Sequence, residues 1–195
     1  KLGFLIADVS GKGIPAAMFM MTAKTFIKGY AEAGRAVDEV FTVANAKLCE
    51  SNEAGMFVTA WMGVLDITTG KIEFANAGHN YPLVRHADGN FEFLKSKPGF
   101  VLAGMEGMKY RKNEVVLSVG DEIYLYTDGV TEATNAENEL YGEERLVKLL
   151  DSLHGLAGED VCRAVKADVD AFVGTAPQFD DITMLYLKYN GGAQK

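Results

Sequence analysis

Four aspartates stand where short apolar runs meet polar turns, and these residues have the clearest capacity for chemistry in the chain. Asp8 closes the run in "FLIADVSGKG", Asp128 closes the run in "IYLYTDGVTEA", and Asp180 and Asp181 open the run in "FDDITMLYL". One aspartate beside glycine is by itself a turn former. Three such junctions carry more meaning: if the runs are neighbouring strands, the last antiparallel to the others, the carboxylates gather at one sheet edge. Gathered carboxylates repel one another unless a cation lies among them. All-oxygen ligands favour Mg²⁺ or Mn²⁺ over zinc or copper, and bound water is then acidified for in-line attack at phosphorus. The expected chemistry is phosphate-ester hydrolysis by metal-activated water, and no nucleophile signature stands against it.

Other residues invite chemistry and yield less. Lys12 in "SGKG" suggests a phosphate-binding loop, but Ile6 stands where that motif needs its first glycine, and Gly13 where it needs Ser or Thr. His79 in "AGHN" is a possible general acid, yet it follows a strand pattern and reads better as a turn residue, as does Asn80. The Met-rich stretch "AAMFMMTAK" has helical spacing and is expected to be core, with an adaptable partner surface as the alternative.

The elements that must position the aspartates are readable from periodicity. Leu2 to Ala7 is a short buried strand ending at Asp8, and Pro15 opens a helix over Ala16 to Ala33 that Gly34 stops. A second helix runs from about Val37 to Leu48. Alternation then predicts a strand from Met56 to Asp66 and a hairpin partner from Lys71 to Ala77. Further strands are expected at Pro82 to His86, Phe91 to Leu94, Glu114 to Leu117 and Glu122 to Thr127, with Asp-Gly and Gly-rich turns between them. Helices return at about Glu143 to Leu153 and Gly158 to Phe172, before a last strand at Ile182 to Tyr189 and a Gly-rich tail. The glycine-rich segment Gly99 to Arg111 is either a mobile flap or a plain loop. Helices on both sides of a run of hairpins indicate an α+β layered fold.

Composition bounds the rest. The 195 residues, 48% of them hydrophobic, suit one domain with a full core. A formal charge of −8 and a pI near 4.9 argue against a non-specific grip on nucleic acid or anionic lipid. Cys49 and Cys162 form neither a disulfide framework nor a zinc spacing. No apolar run approaches the roughly 20 residues that span a bilayer, so a cytoplasmic location is expected, with any anchor lying upstream.

The motifs "DVSGKG", "AGHN", "TDGVTEA", "YGEERL" and "FDDIT", in this order and spacing, resemble the metal-dependent protein phosphatase (protein phosphatase 2C-like) family, in its bacterial sporulation stage II protein E and sigma-regulator subgroup. The similarity runs from Leu2 to about Tyr189. It implies an antiparallel β-sandwich flanked by helices in four αββα layers, with a centre for two Mg²⁺ or Mn²⁺ ions between the sheets. The implied substrate is a phosphoserine or phosphothreonine on a regulatory protein, such as an anti-sigma factor antagonist.

Carried over by position, Asp8 matches the carboxylate that bridges both ions, and Val9 the backbone carbonyl that helps bind the second. Asp128 and Asp180 match the remaining carboxylates of the first ion, with Asp181 as a close alternative, while Gly11 and Gly13 allow a tight turn beside them. Ser10 stands where some members carry an acidic His, which leaves protonation of the leaving group to metal-held water. The resemblance also implies a further metal-binding Asp one strand upstream, which these residues do not include. A C-terminal piece of a longer signalling protein is therefore expected, with a sensor upstream, a weakened second ion and reduced activity. An unpaired sheet edge would favour a homodimer. In the same family the helical pair over about Pro15 to Asn52 moves to switch metal binding. The rival expectation is a pseudo-phosphatase that binds a protein partner without turnover.

Overall fold

The protein is described by a computed structural model, which covers residues 1–50, 52–87, 89–156, 158–178 and 180–192. Phe179 of "FDDIT" and Asp88 of the Asp-Gly turn lie outside these described residues. The chain divides into two compact units, one of Lys1–His79 with Ser96–Val116, the other of Asn80–Lys95 with the residues from Leu117 onward.

The first unit is a four-stranded antiparallel sheet with a helical hairpin. Its strands are β1 (Leu2–Val9), β2 (Val58–Leu65), β3 (Lys71–Ala77) and β6 (Asn113–Val116), hydrogen-bonded in that order. The helices are α1 (Gly13–Glu32) and α2 (Val37–Cys49). Strand alternation gives the sheet two chemistries. Leu5, Ala7 and Val9 of β1, with Val58, Ala60 and Met62 of β2, pack with Phe19, Ala23, Phe41 and Leu48 of the helices. The opposite face carries Phe4, Ile6 and Asp8 beside Thr59, Trp61 and Phe74, and its rings pack at 5.4 Å (Phe4–Trp61) and 5.2 Å (Trp61–Phe74). Gly63 makes room for this cluster, because a Cβ there would lie 2.7 Å from the Trp61 ring.

One open alternative in this unit is decided and one expectation changes. The segment from Gly99 is a pinned loop: Val58 and Leu102 exchange backbone hydrogen bonds, and Asn45 accepts from Ala103 N and donates to the Met105 carbonyl. The Met-rich stretch is core on one side only, since Phe19 and Ala23 are buried while Met18 and Met21 are exposed. Adjacent residues on a helix point about 100° apart, so a run of bulky apolar residues must place some of them outward.

The second unit contains β4 (Leu83–Arg85), β5 (Phe91–Phe93), β7 (Glu122–Tyr126) and β8 (Met184–Lys188), in the sheet order β5, β4, β7, β8. Three helices accompany them: α3 (Asp128–Thr131), α4 (Glu143–Ser152) and α5 (Gly158–Val173). Leu146, Leu150, Val161, Val165 and Val169 from α4 and α5 pack with Tyr124 and Tyr126 of β7. Tyr141 and Arg145 both donate to the Asp168 carboxylate, at 2.6 and 3.1 Å, tying the start of α4 to α5. The short helix α3 is not marked by periodicity, because four residues are too few to show a 3.6-residue repeat.

Candidate active site

Asp128 is the residue at which β7 gives way to α3. β8 runs antiparallel to β7, with Tyr126 registered against Met184, so the residues just before β8 return beside the end of β7. Thr127 fixes the junction. Its N–H donates to the Thr183 carbonyl at 3.0 Å, and its hydroxyl accepts from Thr183 N at 3.0 Å and donates to the Asp181 carbonyl at 3.1 Å. Gly129 completes the closure, since a Cβ at that position would fall 2.2 Å from the Asp181 carbonyl oxygen. Within this unit the backbone at Asp128 and at Asp181 comes together, as neighbouring antiparallel strands require.

The carboxylates at this junction differ. Asp180 Oδ1 accepts the Asp181 N–H at 2.8 Å, and the Asp180 carbonyl accepts from Gln178. Asp181 is exposed and engages the fold through its carbonyl. Asp128 Oδ1 is buried and has no hydrogen-bond partner among the described residues. A buried carboxylate oxygen without a donor carries a desolvation cost that only a donor or a cation offsets. A hard divalent cation is therefore a fitting partner for the Asp128 carboxylate.

Asp8 is held differently. It is the penultimate residue of β1, registered against Thr59 of β2, and half-buried. The reading in which all three runs are neighbours in one sheet is corrected: β7 and β8 are neighbours, whereas β1 belongs to the other sheet. Short apolar runs ending in Asp look alike whichever sheet receives them, and pairing is decided by long-range packing. The turn after Val9 uses its glycines as expected, with Gly11 at φ +84° and Gly13 at φ +79°, conformations that favour glycine. Among the described residues, no three His, Cys, Asp or Glu side chains stand close enough together to hold a metal ion.

Sequence reasoning missed Thr127 and Gly129 as the residues that lock this junction. The signal was present in "TDG", but it reads as a turn until the returning strand is known. His79 is buried, and Asn76 bridges its backbone by accepting from His79 N and donating to the His79 carbonyl. The turn role expected of "AGHN" is therefore visible.

Comparison with known proteins adds the identity of the fold. The pattern of the stage II sporulation protein E (SpoIIE) family matches residues 1–190. The chain belongs to this family. The phosphoserine phosphatase RsbU of Bacillus subtilis is 32% identical over 77% of the chain, and Protein IcfG of Synechocystis sp. is 26% identical over 97%. The chain spans 45% of the length of RsbU and 34% of IcfG. Among solved structures, the SiaA-PP2C domain of Pseudomonas aeruginosa superposes with a TM-score of 0.83 at 22% identity, covering 96% of this chain and 75% of that one. The catalytic domain of the serine/threonine phosphatase PstP, solved with two manganese ions, gives 0.66 at 13% identity, covering 94% of this chain and 85% of that one. The SpoIIE-family chain thus has the PP2C-like α+β fold.

Proposed function

We propose that the chain is the catalytic domain of a Mg²⁺- or Mn²⁺-dependent serine/threonine phosphatase that acts on a phosphorylated regulatory protein; its relative RsbU carries the name of a phosphoserine phosphatase. The observation that carries this reading is the buried Asp128 Oδ1, without a hydrogen-bond partner among the described residues, on a turn that Thr127 and Gly129 lock against the Asp181 carbonyl. Asp128 and Asp180, with Asp181 as the alternative, and Asp8, with the Val9 carbonyl, are the groups that would hold two ions. Bound Mg²⁺ or Mn²⁺ would supply an acidified water and positive charge for the phosphoryl oxygens.

The chain's own part is to present oxygen ligands on backbone that does not give. The β1–β2 ladder fixes the height of Asp8 on its strand, and the Thr127 hydroxyl holds the Asp181 carbonyl against the start of α3. Burial pushes the thiols of Cys49 and Cys162 up, so neither is suited to nucleophilic attack. The substrate class is a phosphoprotein of a sigma-factor pathway, met in the cytoplasm, with a regulatory domain governing the activity. Among the described residues no helix is long and apolar enough to cross a membrane.

The test is Mn²⁺ titration by calorimetry together with hydrolysis of p-nitrophenyl phosphate and a phosphoserine peptide, with Asp8→Ala and Asp128→Ala as controls. Binding and turnover that both variants lose would support the reading. Binding without turnover would favour a protein-binding module, and absence of binding would reduce the aspartates to turn formers.

A further inference from the structure

Asp8 shares its sheet face with a polar pair that the metal reading does not use. Thr59 lies directly opposite Asp8 in the β1–β2 register, and opposed residues of an antiparallel pair project to the same face with Cβ atoms about 5 Å apart. Thr59 Oγ1 in turn lies 2.9 Å from Nδ1 of His79. His79 is only 6% exposed, and its backbone is clamped on both sides by the Asn76 side chain, at 2.8 and 2.9 Å. Asn76 belongs to β3, is 3% exposed, and is registered against Trp61. The imidazole is therefore aimed by a buried amide bridge built into the next strand but one from Asp8.

The chemistry of this pair is directional. A threonine hydroxyl has one hydrogen to give and lone pairs to accept with. With the imidazole hydrogen on Nδ1, His79 donates to Thr59 Oγ1, and the hydroxyl hydrogen is then available to the carboxylate on the facing strand. Groups that hydrogen-bond a metal's carboxylate ligand fix its rotamer and set its affinity for the ion.

We propose that His79 and Thr59 are positioning residues for Asp8, forming a hydrogen-bond relay that orients its carboxylate toward a divalent cation. The proposal rests on the metal-ligand role given to Asp8 above. It assigns to the histidine of "AGHN" a task other than acid catalysis, that of reaching Asp8 through Thr59. A merely structural pair would also be buried and hydrogen-bonded. The two roles separate in what a substitution changes: a structural pair alters stability alone, whereas a relay alters ion affinity in molecules that remain folded.

The experiment titrates Mn²⁺ calorimetrically into the protein and into Thr59→Val, Thr59→Ser, His79→Asn, His79→Gln and Asp8→Ala, with near-ultraviolet circular dichroism to establish that each is folded. Thr59→Val keeps the shape and removes the hydroxyl, and it should weaken Mn²⁺ binding about 10- to 100-fold. Thr59→Ser restores the hydroxyl and should return affinity to within about threefold of the original, since the relay needs only its oxygen and hydrogen. His79→Asn places an amide nitrogen near the Nδ1 position and should bind better than His79→Gln, whose amide reaches the Nε2 position instead. On p-nitrophenyl phosphate at fixed sub-saturating Mn²⁺, Thr59→Val should lower kcat and leave KM unchanged. If folded Thr59→Val binds Mn²⁺ as the original protein does while Asp8→Ala does not, the relay is wrong and the metal reading stands. If Asp8→Ala also binds normally, the metal role of Asp8 falls and the relay falls with it.

Discussion

The two units of this chain hold their candidate ligands by opposite means. In the first, Asp8 is one rung of an eight-residue ladder, and its position follows from the register Leu2↔Leu65 through Val9↔Val58. In the second, Asp128 stands at the point where a strand stops, and its position depends on one hydroxyl and one missing Cβ. A ladder spreads the constraint over many backbone hydrogen bonds, so the loss of any one side chain is shared. A locked turn concentrates it in Thr127 and Gly129. The second unit should therefore be the more fragile at single positions, and the more sharply testable.

The largest effect expected is at Gly129. Gly129→Ala would drive a Cβ to 2.2 Å from the Asp181 carbonyl, and backbone must move to relieve it. A loss of about 3 kcal/mol is expected, at the upper end of overpacking costs, and Mn²⁺ binding should be lost with it. Gly11→Ala is the matching change in the first unit, where a Cβ meets nothing and only the positive φ is strained; about 1 kcal/mol is expected. Urea unfolding of both variants measures the contrast, and equal costs would break the comparison. Thr127→Val comes next, because it leaves the Asp181 carbonyl and the Thr183 N–H without their hydroxyl partner. A loss of about 2 kcal/mol is expected from two such groups, read by the same unfolding assay.

Asp128→Asn should act in the other direction. Its Oδ1 is buried with no hydrogen-bond partner among the described residues, and a neutral amide oxygen costs less to hold away from water than a carboxylate oxygen, so the substitution should lower a cost that the folded, metal-free protein bears. In excess EDTA the variant should be more stable than the original by about 1 kcal/mol, while its Mn²⁺ affinity falls. Such a pairing of gained stability with lost binding is the usual mark of a functional carboxylate. Asp8→Asn should give no comparable gain, and thermal melts with and without Mn²⁺ would show whether the two aspartates differ in this way.

How much of this was legible from the residues follows from the range of the interactions involved. The helical hairpin was readable because Pro15, Gly34 and the spacing of Phe19, Ala23 and Ile27 are local signals, and the β2–β3 hairpin because Thr68-Thr69-Gly70 is a turn with a mechanism. Sheet membership was not, since nothing near Asp8 says which strand Leu2–Val9 will pair with. The aspartates were visible as residues, but the groups that aim them were hidden: Thr127 acts across 54 positions on Asp181, and His79 across 20 on Thr59. The exposed side of α1 was misjudged for a simpler reason, because the apolar type of Met18 and Met21 says nothing of which way each faces.

The smallest expected effect concerns acid, and it compares a carboxylate in each unit that has nothing to do with the candidate site. Asp66 is held below its ordinary value by the Thr68 hydroxyl and then by the Thr68 N–H, and Asp168 by the Tyr141 hydroxyl and then by Arg145. For both, the folded state binds the proton less readily than the unfolded chain. The stability each contributes is therefore fully present above the unfolded value of about 4 and is lost as pH falls through the lower folded value. Tyr141→Phe removes the leading cause at Asp168, so stability should fall by about 1 kcal/mol at neutral pH and the difference from the original should shrink below about pH 4. Thr68→Val should produce the same shape with a smaller amplitude, because Asp66 lies on an exposed turn where water replaces the lost hydroxyl. Unfolding curves between pH 2 and 7, at the intervals an acid titration about 4 requires, check both. A Tyr141→Phe difference that stayed constant down to the lowest pH would mean that the tyrosine ring, and not its hydrogen bond to Asp168, ties α4 to α5.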